Sequence, residues 1–167
     1  MHLESTSAGS SAALSLWEAW KLTGSVEAVP ITDAIGRTYP PSAPYRVSRA
    51  KIAEFAAALG DANPAYAGDD PIAPPTFAAV LAAHAWGALF DDPSLGLSLQ
   101  RTLHVDQRFD VVRPLRAGDD VVATLRIEKV RHMGARDIIT IAVDLDTTDG
   151  EKLVKATSTL LHTQESA

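Results

Sequence analysis

The chain has no cysteine among its 167 residues. Disulfides, thiolate nucleophiles and Cys-ligated metals are removed together, and a reducing compartment is permitted, so cytoplasm is the expected location. Aromatic residues are sparse at 6%, and the net charge of −6 has the wrong sign for a phosphate backbone. No basic stripe interleaved with aromatics overcomes this locally, which argues against nucleic acid as a partner. Long apolar runs are also missing. The longest stretch, Ile72 to Phe90, contains Pro74, Pro75 and His84 and is flanked by Asp69, Asp70, Asp91 and Asp92. It reads as a buried helix and not as a membrane span. No leader is expected, because Glu18 and Lys21 interrupt the early apolar residues and no basic region precedes them. Without a Gly-x-Ser-x-Gly, a serine hydrolase elbow is not expected either.

What is present fits one domain of ordinary size. Hydrophobic residues make up 46% and charged residues 22% of the chain, the balance of a folded globular protein. Residues 1–35 read as an N-terminal extension, with a mobile Ser/Ala/Gly-rich start and a short amphipathic helix over Ser11–Thr23 carrying Leu14 and Trp17. The domain proper is expected over residues 36–167. Pro40, Pro41 and Pro44 forbid a regular helix at its start. Ser48 then offers an N-cap, Ile52, Phe55, Ala56 and Leu59 recur at helical spacing, and Gly60 supplies a stop, so a helix is predicted over Arg49–Leu59. A loop follows to Pro75, and a second helix is predicted from Thr76 to Phe90, apolar nearly all round.

From Arg101 the periodicity changes to alternation. Strands are predicted at Thr102–Val112, Asp120–Val130, Ile138–Thr147 and Leu153–His162, with breaks at Pro114 and Gly118, at Gly134, and at Asp149 with Gly150. Helices followed by an antiparallel meander imply an α+β domain, with a long apolar helix packed against a curved sheet. A hot-dog fold has this form, as do other α+β arrangements.

The stretch Gly60-Asp61-Ala62-Asn63-Pro64-Ala65-Tyr66 resembles the hydratase motif of the MaoC-like family, Gly-Asp-x-Asn-Pro-x-His, at six of seven positions. Before it, Gly36-Arg37-Thr38-Tyr39-Pro40-Pro41 and Pro44-Tyr45-Arg46-Val47 are similar to the opening of the FAS1-like dehydratase N-terminal branch. After it, Ile72-Ala73-Pro74-Pro75-Thr76-Phe77, His104 to Phe109 and Arg113 to Asp119 continue the likeness, so it spans about Gly36 to His162. The resemblance implies a hot-dog fold, no cofactor, and reversible dehydration of (3R)-hydroxyacyl thioesters on CoA or an acyl carrier protein. It also implies pairing, since hot-dog domains join their sheets and place the active site between protomers.

By position, Asp61 matches the family's acid/base carboxylate and Asn63 the residue that orients the loop, while Tyr66 stands where the family has histidine. A phenol titrates near 10 and imidazole near 6.5, so Tyr66 makes a poor base at neutral pH although it can donate a hydrogen bond. The catalytic relatives carry glycine where Pro75 stands, and proline has no N–H to polarise a thioester carbonyl. Asn63, Pro75, Thr76 and His84 are the residues the likeness places at the substrate. Two departures in one site point to an accessory, substrate-binding subunit that pairs with a catalytic MaoC-like partner, as in mycolic-acid dehydratases. The alternatives are a self-sufficient homodimeric hydratase, a non-catalytic acyl-thioester binding module and, more remotely, a hot-dog thioesterase.

The other polar residues admit plainer readings. His84 reads as a core histidine, or as a polar group facing the acyl channel. His104, with Asp106 on the same face by alternation and Gln107 beside it, suits a network at a dimer contact or a catalytic role. His2, His132 and His162 are expected at the solvated surface. No metal site is expected, since His84, His104 and Asp61 lack ligand spacing.

Overall fold

The computed structural model describes residues 30–164. The segment Ser11–Thr23 and His2 lie outside the described residues. The packed body begins before Gly36, because the 3-10 turn Ile31–Ala34 buries Ile31 and Ala34 in the core. The proline-rich segment then runs along a sheet edge. Gly36, Tyr39 and Ser42 donate backbone bonds of 2.8, 2.9 and 2.9 Å to Ile127, Leu125 and Ala123. Pro40, Pro41 and Pro44 have no N–H to donate, so the segment lies extended and its donors to the sheet are the residues around its prolines. It ends in β1, Tyr45–Arg46, which pairs with Val121 and Asp120.

Helix α1, Arg49–Leu59, starts and stops where the sequence indicates. Ser48 accepts from the Lys51 amide, and Gly60 closes the helix at φ 66°, a left-handed conformation that suits glycine. Ile52 and Ala56 are buried, and Phe55 meets Phe77 edge-on at 5.3 Å between ring centres.

The second helix is not continuous. It divides into α2, Phe77–Ala83, and α3, Trp86–Phe90. At the joint, the amides of His84 and Ala85 bond the carbonyls of Leu81 and Ala82, three residues back, at 3.2 and 3.1 Å. This tighter turn breaks the helix and turns Ala83 and His84 to solvent, while Ala85 and Leu89 stay buried. Phe77, Ala78, Leu81 and Ala82 stay buried under the sheet, whereas Ala83 and His84 are exposed.

Four long antiparallel strands complete the fold: β2 Thr102–Val111, β3 Asp120–Met133, β4 Arg136–Thr147 and β5 Lys152–Thr163. The sheet order is β1-β3-β4-β5-β2. Alternation places Leu125 and Ile127, Ile139 through Leu145 at every second position, and Ala156 and Leu160 on one buried face around α2. This curled sheet on a helix is the hot-dog fold. The proline-rich segment is clamped to the end of α3 by Asp92, which accepts from Arg37 Nη1 at 2.6 Å and the Tyr39 hydroxyl at 2.9 Å. Burial alone would raise the Asp92 carboxyl, but hydrogen bonds from Ser94, Tyr39 and Arg37 hold it at about 2. No helix among the described residues is long and apolar enough to cross a membrane.

Candidate functional site

The motif loop is built from its own side chains. The Asp61 amide donates to Ala56 at 3.0 Å as α1 ends. Asp61 Oδ1 accepts from the Asn63 amide at 3.1 Å, and Asn63 Oδ1 accepts from the Ala65 amide at 3.0 Å. These two side-chain turns lead into the 3-10 turn Pro64–Tyr66, which tucks Tyr66 inward to 9% exposure. Asp61 itself stays exposed. The Tyr66 hydroxyl is pushed above the usual phenol value first by desolvation, then by the charge of Asp61 and hydrogen bonding to it, with Asn63 acting the other way.

Opposite this loop stands the start of α2. Pro74 and Pro75 have no N–H, and the next helical amides are already engaged. Phe77 donates to Pro74 at 2.9 Å, Ala78 to Pro75 at 3.4 Å and Ala79 to Thr76 at 3.0 Å. Thr76 is exposed at the N-cap and makes no capping side-chain bond. A thioester carbonyl placed here finds fewer free backbone donors than a glycine at residue 75 would provide.

Two cavities share Asn63 and Tyr66 as lining. One, of about 270 Å³, is walled by buried Ala73, Leu115 and Val154 and rimmed by exposed Pro75, Val111 and Pro114. The other, of about 470 Å³, is a shallow groove along α1 past Ala53, Ala57, Asp61 and Ala62, most of it exposed. Asp61, Asn63, Tyr66 and Pro75 therefore gather in one place, with Thr76 next to Pro75.

His84 does not join them. Neither cavity is lined by it, and it is no core histidine, since the break between α2 and α3 leaves it exposed with its ring tilted against Tyr45 at 5.3 Å. His104 lies on edge strand β2 and meets Trp86 edge-on at 5.1 Å. The shared face expected for His104 and Asp106 is corrected by a bulge. His104 pairs with Leu160 but Asp106 with Thr159, adjacent residues on opposite faces of β5, because the extra residue Val105 resets the alternation. Gln107 is held within the chain, donating to the Thr157 carbonyl at 3.1 Å and accepting from Ser158 Oγ at 2.7 Å.

A second polar cluster was not legible in the sequence. Strand register aligns His132 on β3, Asp137 on β4, His162 on β5 and Thr102 on β2 in one row across the sheet. Asp137 and His162 are only 4% and 3% exposed, which overturns the surface placement expected for His162. Asp137 accepts from Gln164 Nε2 on both oxygens, at 3.1 and 3.0 Å, and is hydrogen-bonded to His132 Nδ1. Thr102 Oγ1 gives its proton to the Ser98 carbonyl at 2.7 Å, so His162 Nδ1, 3.0 Å away, is the donor to it. The available signal was the five-residue separation of His132 and Asp137 across the Gly134 turn. No cluster of three or more His, Asp or Glu side chains suited to a metal occurs among the described residues.

A family described as the FAS1-like dehydratase domain region matches residues 33–156. A UPF0336 protein of Cutibacterium acnes is 59% identical over 130 residues, covering 78% of this chain and 92% of that protein. The C-terminally truncated HadBC (3R-hydroxyacyl-ACP dehydratase) complex of Mycobacterium tuberculosis is similar with a TM-score of 0.67 at 30% identity, over 78% of this chain and 98% of that one. A MaoC-like dehydratase shares the fold with a TM-score of 0.70 at 24% identity, over 78% of this chain and 42% of that chain.

Proposed function

Because the chain belongs to the FAS1-like, MaoC-like dehydratase family, we propose that it is the accessory, substrate-binding subunit of a heteromeric (3R)-hydroxyacyl-ACP or -CoA dehydratase. The observation that carries this reading is Tyr66. Dehydration requires a proton to leave the carbon beside the thioester carbonyl and a proton to reach the departing hydroxyl. Asp61 supplies one carboxylate, but its companion is a buried phenol shifted above its ordinary range. At neutral pH such a group donates a hydrogen bond and does not take a proton. The prolines at the start of α2 weaken carbonyl polarisation as well, and losing one such donor commonly costs about 10²–10³ in rate.

The partner surface in this reading is β2. It is the sheet edge opposite β1, and Leu103, Val105, Val111 and Val112 on or just after it are 64, 54, 49 and 73% exposed. A long edge strand with apolar side chains is a template for pairing with another chain. A partner sheet joined there would face the rim of the smaller cavity at Val111.

Co-expression with a MaoC-like subunit that has the intact Asp and His tests the proposal, with turnover followed by loss of enoyl-thioester absorbance. The pair should be active and this chain alone inert. Full activity of the purified single chain would overturn the accessory role.

A self-sufficient homodimer is the second reading, and one observation favours it. Asp106 and Arg108 share the outer face of β2 on either side of Gln107, opposite Thr159 and Thr157. Antiparallel pairing of two copies about Gln107 would set Asp106 of each opposite Arg108 of the other. In that case Asp61→Asn abolishes a rate measured on the single chain.

A further inference from the structure

We infer that Tyr66 is a wall that sets the acyl length this site accepts, a role that rests on the thioester-binding reading above. The residue stands between the two cavities and lines both. On one side lies the chamber of about 270 Å³ closed by Ala73, Leu115 and Val154. Its lining is largely apolar, and it falls just below the roughly 300–1,000 Å³ usual for small-molecule sites. On the other side lies the groove of about 470 Å³ along α1, lined mainly by alanine.

The side chain of Tyr66 is buried at 9% exposure and packs with the core. Its backbone amide bonds the Asn63 carbonyl at 3.1 Å, which fixes the turn that carries it. Swinging the ring aside would return apolar surface to water. An acyl chain whose thioester lies at the Pro75 rim enters the chamber and meets this ring. The chain length admitted is short, and the groove beyond stays unused.

Removing the ring would connect chamber and groove. A chain too long for the chamber could then lie along Ala53 and Ala57, where the small side chains leave room. Each methylene newly buried adds a comparable increment, so two more methylenes correspond to about tenfold in affinity. The hydroxyl is not what excludes long chains in this reading. Tyr66→Phe keeps the ring and should keep the length limit, whereas Tyr66→Ala should lift it.

Calorimetric titration of the full chain with saturated acyl-CoA thioesters, from butyryl-CoA to palmitoyl-CoA, tests the wall. For the native chain and Tyr66→Phe, affinity should stop rising after the first few members of the series. For Tyr66→Ala it should go on rising, so that the long members bind at least about tenfold tighter than butyryl-CoA does to the same variant. Ala57→Phe, an exposed substitution that fills the groove, should leave the native profile alone and cancel the gain of Tyr66→Ala. Tyr66→Leu, which shortens the side chain but keeps the site apolar, gives the same readout should Tyr66→Ala not fold. Binding of butyryl-CoA with the same length profile in native, Tyr66→Ala and Tyr66→Leu chains overturns the wall and leaves the thioester reading standing. Failure of every chain length to bind any of these proteins overturns both.

Discussion

The two ends of the sheet treat polar groups in opposite ways. At one end, Asp137 and His162 are buried in a row that strand register assembles from β2, β3, β4 and β5, and the polar atoms of Asp137 are partnered. At the other end, past Val111, Leu145 and Val154, the carboxylate of Asp61 stays exposed and spends one oxygen on its own loop. The end that resembles an active site is thus held loosely by local turns, and the end with no assigned chemistry carries the dense network. Buried, fully partnered polar groups stabilise and specify a fold, whereas a site for substrate must leave groups free. The contrast places His162 and Asp137 in the buried architecture and leaves Asp61 on the exposed face that the proposed function gives to ligand.

Substitution at the two carboxylates would separate these roles most clearly. Asp137→Ala leaves His132 and Gln164 without their shared acceptor and should cost about 2–3 kcal/mol, read as a lowered denaturant midpoint. A loss below that seen for Asp61→Ala would contradict the division between the ends. Acidification acts on the same row. His162 is held below the ordinary imidazole value chiefly by burial and then by Arg101, with Asp137 and the Ser98 carbonyl opposing. The unfolded chain therefore binds this proton more readily than the folded one. Stability from this group is complete above about pH 6.5 and is lost as pH falls through the folded value, with a slope of at most about 1.4 kcal/mol per pH unit. Chemical denaturation at a series of pH values should show this loss, and His162→Gln should flatten it. The smallest effect belongs to Asp61→Asn, which should change stability by less than about 0.5 kcal/mol, as surface substitutions do. In a co-expressed heteromeric complex it should also leave turnover within about threefold, since a loss of that size corresponds to well under 1 kcal/mol. A hundredfold loss there would return Asp61 to the catalytic machinery.

Much of the fold was legible because its signals are local. Ser48 and Gly60 bracket α1, and the turn residues at Gly118, Gly134 and Gly150 separate strands whose alternation is visible in the sequence. The loop from Gly60 to Tyr66 was legible for the same reason, as Asp61 and Asn63 each bond an amide two residues on. The continuous helix expected over Thr76–Phe90 failed at His84 and Ala85. Composition there favours helix throughout, but two tighter hydrogen bonds at His84 and Ala85 break it while Ala85 and Leu89 remain packed in the core.

Residue order by itself determined the element types, the caps, the motif loop and the two departures at Pro75 and Tyr66. Each depends on the geometry of a few neighbouring residues, such as a missing N–H or a phenol in place of an imidazole. Only the tertiary structure decided that His132, Asp137 and His162 share one row, that Val105 is a bulge separating His104 from Asp106, and that Tyr66 lines two cavities. Those relations arise from register and packing between strands and loops distant in the chain. A one-residue change in register reverses a side chain's face, and no local pattern encodes it.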